Sequence, residues 1–295
     1  MATKLKGVHW MLATPFHEDE AVDKASIPNL VSKARESGCE GVVALGVMGE
    51  AHRLTDAEAR RVAEAVISEA DGMPVTLGTS APSTMAAIAR SREAKEMGAA
   101  AVMVAPPPMP KTNLEAVYAH YYRLAEAVDI DIVVQDYPKT TGVHMPPEFF
   151  VRLADNIPSV RYCKIEAPPT PPKIRAIKAL AGDRLTLFGG LGGLFLVDEL
   201  AQGGAGAMTG FAFPETLVRI CRHMAEGETE AAEELFGEWL PLVLFEVQEG
   251  IDLSIRKNAL HYRGLIESPV VRHPGSRAGE ATIKQLIEHI ERRGY

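Results

Sequence analysis

Cysteine is scarce in this chain, and so are long apolar runs and positive charge. Three cysteines, Cys39, Cys163 and Cys221, stand far apart in 295 residues, without the spacing of metal ligands or of a disulfide framework. Each reads as a small buried hydrophobe in a reducing compartment. No apolar run approaches the ~20 residues that cross a bilayer. The opening stretch, Met1 to Trp10, lacks the apolar centre of a secretory signal. Lys and Arg total 31 against 39 Asp and Glu, a formal charge of −8, which argues against nucleic acid or an anionic membrane as a main partner. The chain reads as cytoplasmic, and its 46% apolar content is ample for a large core.

What is present is an alternation. Short apolar runs are separated by amphipathic segments as far as residue 226 or so. The runs are 7–13, 41–45, 74–78, 100–105, 130–135, 159–166, 185–188 and 205–208. The helical segments between and after them are 26–36, 56–69, 83–97, 114–127, 147–154, 172–180, 194–201 and 214–225, with Ser26 placed to cap the first. Eight strand and helix pairs with apolar strands predict a closed parallel α/β barrel, the (β/α)8 or TIM barrel. A weak repeat agrees: Glu36-Ser-Gly-Cys, Glu96-Met-Gly-Ala and Ala201-Gln-Gly-Gly each end a helix on glycine and lead into an apolar strand. A doubly wound open sheet is the alternative, but Ala13-Thr-Pro-Phe16 is not its glycine-rich first loop. Segments 228–247, 251–262 and 280–293 read as added helices. The predicted organisation is a catalytic barrel over 1–226 and a three-helix C-terminal extension over 227–295, packed on the barrel.

In a barrel of this kind function sits at the C-terminal ends of the strands. The ends expected here are Thr14, Gly46–Glu50, Thr79–Ser80, Pro106–Met109, Gln135–Tyr137, Lys164–Glu166, Gly189–Gly190 and Met208–Gly210. Lys164 is the lysine among them. It closes the run Val160-Arg-Tyr-Cys-Lys164, in which period two puts Val160, Tyr162 and Lys164 on one face. A lysine kept out of water loses its proton more readily, and the neutral amine can form a Schiff base with a carbonyl. A lysine reaching from a strand end into solvent is the plainer reading.

With these residues in place the chain resembles the dihydrodipicolinate synthase / N-acetylneuraminate lyase family. The resemblance rests on Thr14-Pro15, Gly46-x-x-Gly-Glu50, Pro138-x-x-Thr-Gly142, Lys164 and Gly206-x-Met-Thr209, and it runs through barrel and tail. It implies that Lys164 forms a Schiff base with pyruvate or another 2-oxo acid, with no metal or organic cofactor, in a homotetramer. It also implies substrate contacts at Thr14, Gly46, Val47, Met48, Glu50, Gly189 and Met208. The departures are informative. The founding enzyme has two threonines where this chain has Val47 and Met48, a tyrosine at Gln135, an arginine at Thr140 and a tyrosine pair at Pro108-Met109. A glutamine does not exchange protons near neutral pH, so a hydroxyl relay cannot run here.

Val134-Gln-Asp136, Tyr162-Cys-Lys-Ile-Glu166, Gly206-Ala-Met-Thr-Gly210 and Trp239-Leu-Pro-Leu242 are similar to a subgroup, the L-2-keto-3-deoxyarabonate dehydratases. The resemblance therefore implies a Schiff-base lyase for a 2-keto-3-deoxy sugar acid, removing water or cleaving a carbon–carbon bond. The candidate catalytic residues are Lys164, Gln135, Glu166 and Tyr137, with the backbone N–H groups of Val47 and Met48 placed for the substrate carboxylate. Alternatives are a dihydrodipicolinate synthase or N-acetylneuraminate lyase-type aldolase, and a 2-oxo acid binding protein without turnover. His52 reads as an exposed loop histidine. Gly189-Gly-Leu-Gly-Gly193 looks like a phosphate loop but lacks the following lysine.

Overall fold

The computed structural model describes residues 4–295. Eight parallel strands close into one barrel in the order β1 to β8. They are β1 (Gly7–Met11), β2 (Gly41–Ala44), β3 (Val75–Gly78), β4 (Ala101–Val104), β5 (Asp131–Asp136), β6 (Val160–Ile165), β7 (Thr186–Gly189) and β8 (Gly206–Thr209). Between them run α1 (Ile27–Glu36), α2 (Asp56–Glu69), α3 (Thr84–Met97), α4 (Leu114–Ala127), α5 (Pro138–Thr141), α6 (Pro147–Asn156), α7 (Thr170–Ala181) and α8 (Leu196–Ala201). Helix α9 (Pro214–Glu226) completes the ring, and α10 (Thr229–Glu246), α11 (Asp252–Tyr262) and α12 (Glu280–Glu291) form the C-terminal extension. The barrel and helical tail are those expected from the sequence.

The strands are short and almost wholly buried, because their outer faces meet helices and their inner faces meet one another. The core continues without a break from the barrel through Leu235, Trp239, Leu242 and Ile255 of the extension. Among the described residues no helix is long and apolar enough to cross a membrane. The three repeated glycines, Gly38, Gly98 and Gly203, all have left-handed φ (79°, 97° and 96°), which lets the chain leave each helix and turn straight into a strand.

Three local expectations differ from the structure. The short helix α5 occupies the loop after β5, started by Pro138 and ended by Gly142 in the left-handed region. Ser26 stands at the start of α1, but its hydroxyl donates to Asp23, whose other oxygen accepts from the Ala25 amide at 2.9 Å, so Ser26 does not cap the helix. In β6, Val160 pairs with Ile132 but Tyr162 pairs with Val133, so Arg161 is an inserted residue. Neighbours on β5 face opposite sides. Val160 therefore does not share a face with Lys164, while Tyr162 does. Arg161 is pushed outward, 3.4 Å from Asp131.

The extension reaches back to the loop after β2. Lys257 of α11 is fully buried and donates to Glu50 Oε1 at 2.5 Å and to the Val270 carbonyl at 2.8 Å. Glu50 Oε2 accepts from Arg53 at 2.7 Å and from the Arg272 amide at 3.0 Å. Phe16 lies under both cations, 4.2 Å from Lys257 Nζ and 4.4 Å from the Arg272 guanidinium. Arg272 continues to Glu58, at 2.8 and 2.9 Å, which also caps α2 from its third position through the Thr55 amide. Buried charges of this kind are tolerated only as a fully paired set.

Removing one member exposes the cost. Lys257→Met should destabilise the protein by about 3 kcal/mol, because Glu50 Oε1 and the Val270 carbonyl lose their buried donor. Urea unfolding at neutral pH would measure it, and a change below about 0.5 kcal/mol would contradict the pairing. Glu58 gives a pH test. The Arg272 guanidinium and the Thr55 amide hold its carboxyl down to about 2, against an ordinary value of 4.5. Its stabilisation is therefore complete above pH 4.5 and is lost as the pH falls through about 2. Glu58→Gln should cost about 1–2 kcal/mol at pH 7, a partly solvated pair, and less than half of that at pH 3. An equal gap at the two pH values would contradict the assignment.

Candidate active site

Lys164 is the penultimate residue of β6, opposite Gln135 on β5 and Phe188 on β7. Its side chain is 3% exposed, so its ammonium group has almost no contact with bulk water. Two groups receive it: Glu166 Oε2 at 3.1 Å and Met11 Sδ at 3.0 Å. The same Glu166 oxygen accepts from Gln135 Nε2 at 2.8 Å. The other oxygen faces the Leu191 amide at 3.4 Å. Lysine, glutamate and glutamine thus share one oxygen, and the carboxylate is held from both sides. Three of the four predicted catalytic residues meet directly.

Glycine makes this arrangement possible at two places. A Cβ on Gly190 would sit 2.5 Å from Glu166 Cγ, and one on Gly46 would collide with the Met11 methyl. Either would push a group away from Lys164. Gly189 serves another purpose than the one expected. It pairs with Ile165, whose side chain points to the helices, and the space at its Cα is filled by the Glu199 carboxylate. Glu199 accepts from Thr170 at 2.5 Å, and burial raises its pKa to about 7. The residue that makes room beside the lysine is therefore Gly190.

Tyr137 follows β5 and is half-buried. Burial and the nearby carboxylates of Glu166 and Asp252 push its hydroxyl up to about 12. At neutral pH it is a proton donor rather than a base. Thr140 and Thr141 both hydrogen-bond the Tyr137 carbonyl, so Thr140 serves the backbone of its own turn.

The loop 46–50 lies across the barrel mouth. It is flanked by Leu45 and Glu50, both non-glycine residues with left-handed φ, 59° and 51°. Gly78 permits this course, since a Cβ there would collide with the Leu45 carbonyl. Thr14 donates to the Gly49 carbonyl at 2.6 Å, bracing the loop. Glu50 turns both carboxylate oxygens to Lys257, Arg53 and Arg272, and so acts on the loop from outside the pocket. Val47 is 45% exposed and Met48 is buried against Gly210. Among the described residues the Val47 and Met48 amides find no hydrogen-bond acceptor. Met208 is buried inside the barrel, opposite His9. His52 is exposed, as expected.

Sequence reasoning missed Met11 and the Leu191 amide. Met11 shares the inward parity of His9, whose ring meets Phe188 inside the barrel at 5.5 Å, and that parity was the available signal. The Leu191 amide depends on a left-handed Leu191 (φ 47°), which no pattern announces. The three thiols are unreactive by environment: burial raises the pKa of Cys39, Cys163 and Cys221.

A buried lysine at the end of the sixth strand, a strand-end carboxylate and a glycine-flanked loop place this chain beside known proteins. Residues 4–292 match the model of the Dihydrodipicolinate synthetase family. The 4-hydroxy-tetrahydrodipicolinate synthase of Thermomicrobium roseum is 34% identical over 286 residues, covering 96% of this chain and 93% of that one. The L-2-keto-3-deoxyarabonate dehydratase of Azospirillum brasilense is 31% identical over 277 residues, covering 91% and 88%. A crystal structure of dihydrodipicolinate synthase from Rhodopseudomonas palustris superposes with a TM-score of 0.93 at 36% identity, covering 98% and 97%. The chain belongs to the dihydrodipicolinate synthetase family and is an enzyme of its Schiff-base lyase class.

Proposed function

We propose that the protein dehydrates a 2-keto-3-deoxy sugar acid through an imine on Lys164. The observation that carries this reading is the shared Glu166 oxygen, 3.1 Å from Lys164 Nζ and 2.8 Å from Gln135 Nε2, at a site with no hydroxyl side chain at 47, 48 or 135. Lys164 gives up a proton, its neutral Nζ attacks C2 of the 2-oxo acid, and a proton is taken up again as the C2 oxygen leaves as water, giving a protonated imine. The imine draws electrons from C3, and Glu166, beside the still cationic imine nitrogen, takes a C3 proton. The C3 electrons form the enamine and then expel the C4 hydroxyl. That hydroxyl leaves as water with the proton that Glu166 carries. Water then hydrolyses the imine and restores Lys164. The net change is the loss of one water.

The other residues position. The Val47 and Met48 amides bind the substrate carboxylate, a role indifferent to their apolar side chains. Gln135 fixes the Glu166 carboxylate and orients substrate, and Tyr137 offers a proton-bearing hydroxyl at the mouth. The Azospirillum relative, named as a keto-deoxy sugar acid dehydratase, supports dehydration. Synthase chemistry, for which the Thermomicrobium relative is named, is less well served, since the hydroxyl relay that the family resemblance implies for it has no counterpart at positions 47, 48 and 135. The same reading places the enzyme in the cytoplasm as a homotetramer.

Incubation with pyruvate and borohydride should add a reduced three-carbon unit to the Lys164 peptide, read by mass spectrometry. An unmodified Lys164 in a folded protein would overturn the imine. With a panel of 2-keto-3-deoxy acids the expected product has lost water, whereas pyruvate plus an aldehyde would identify an aldolase. Glu166→Gln should lower kcat by about 100- to 10,000-fold while the borohydride adduct still forms. A kcat within threefold of the parent would remove Glu166 from the proton transfer.

A further inference from the structure

The C-terminal extension brings a second cation to the barrel mouth. Arg256, one residue before the buried Lys257, has a side chain only 11% exposed. One of its terminal nitrogens lies 3.0 Å from where a Cβ on Gly192 would be, and Val247 closes the same space at 2.5 Å. Gly192 follows Leu191, whose amide faces Glu166, so the guanidinium abuts the loop that holds the carboxylate beside Lys164. Tyr137 ties the two together. Its phenol lies within electrostatic reach of Glu166 and of Asp252, Arg256 and Glu249.

Arg256 is poorly partnered for so sheltered a guanidinium. Its Nε is buried without a hydrogen bond. The nearest carboxylates, Glu246 and Asp252, stand at 3.6 Å, beyond hydrogen-bond length. The Glu246 oxygen that faces Arg256 already accepts from the Ala212 amide, and burial raises the pKa of this carboxyl to about 7. Asp252 is 45% exposed and screened by water. The other cation at this edge, Lys139, is taken by Glu249 at 3.0 Å. A guanidinium with free donors in a fixed planar fork matches a carboxylate better than it matches scattered hydroxyls.

We infer that Arg256 is a specificity-determining residue that binds the distal carboxylate of a dicarboxylic 2-oxo acid substrate. This rests on the Schiff-base reading of Lys164 and narrows it. The near carboxylate goes to the Val47 and Met48 amides, C2 to Lys164, and the far end passes Glu166 and Tyr137 to reach α11. The enzyme then selects acids with an anion at both ends over those ending in a neutral group.

Two 2-oxo acids of equal length without the C4 hydroxyl, and so not dehydrated, test this: 2-oxoadipate and 2-oxohexanoate, with affinities measured by calorimetry on the full-length protein. The wild type should bind 2-oxoadipate at least tenfold more tightly. Arg256→Gln should weaken 2-oxoadipate by about 100-fold and leave 2-oxohexanoate within threefold. Arg256→Lys, which keeps the charge without the fork, should fall between, and it serves if the glutamine variant does not fold. Equal losses for both probes, no loss for either, or a wild type indifferent to the second carboxylate would overturn the assignment. Borohydride trapping of pyruvate on Lys164 in the same variants keeps the two readings apart. An adduct that survives in Arg256→Gln leaves the Schiff base standing whatever the probes show. An adduct absent from the wild type removes the Schiff base while the affinity ratio still decides on Arg256.

Discussion

The structure around the site answers one constraint: an ammonium group buried inside a barrel must have an anion beside it. Withdrawing an unpaired charge from water costs several kcal/mol, more than most single contacts return. Glu166 supplies the anion to Lys164, and the surroundings then hold Glu166. Gln135 and the Leu191 amide reach its two oxygens, and Gly190 leaves space for its methylenes. The constraint also has a chemical consequence. In the proposed mechanism, the carboxylate that balances the lysine's charge also takes the C3 proton of the imine. On that proposal one pair of residues serves stability before the reaction and proton transfer during it.

A second set of buried charges works at a distance. Glu50, Lys257, Arg53 and Arg272 fix the loop 46–50 from outside the pocket, holding Leu45 and Glu50 in left-handed backbone that an isolated loop would leave. The amides of Val47 and Met48, which have no acceptor among the described residues, belong to the loop that these ion pairs hold. The extension therefore belongs to the site: α11 carries Lys257 toward the loop and Arg256 toward the mouth.

Much of this was legible in the sequence. The barrel followed from apolar runs alternating with helices, since strands covered on both faces must be apolar throughout, and the glycines at the helix ends marked the turns. Lys164 was legible because a lysine at the end of an apolar strand is unusual and the barrel assigns those ends to function, and Gln135 and Glu166 because they share that end of the barrel. What the sequence hid has a common cause. The slip at Arg161 shifts Val160 off the lysine face, and a bulge has no compositional mark. Gly189 and Gly190 are neighbours with opposite directions, and register alone separates them. The Glu50–Lys257 pair spans 207 positions, and such pairing is decided by packing, not by local pattern. Arg256 reads as an ordinary helix-surface arginine until the fold lays α11 beside Gly192.

The central claim, that Lys164 forms an imine whose C3 proton passes to Glu166, is tested most directly by proton exchange. Pyruvate in deuterium oxide loses its methyl protons whenever the enzyme's imine passes into its enamine, and NMR follows the signal without any need for turnover. The account predicts rapid exchange by the wild type, and exchange at the uncatalysed rate by Glu166→Gln even where borohydride still traps its imine. Exchange that continues undiminished in Glu166→Gln would place the base elsewhere and contradict the account.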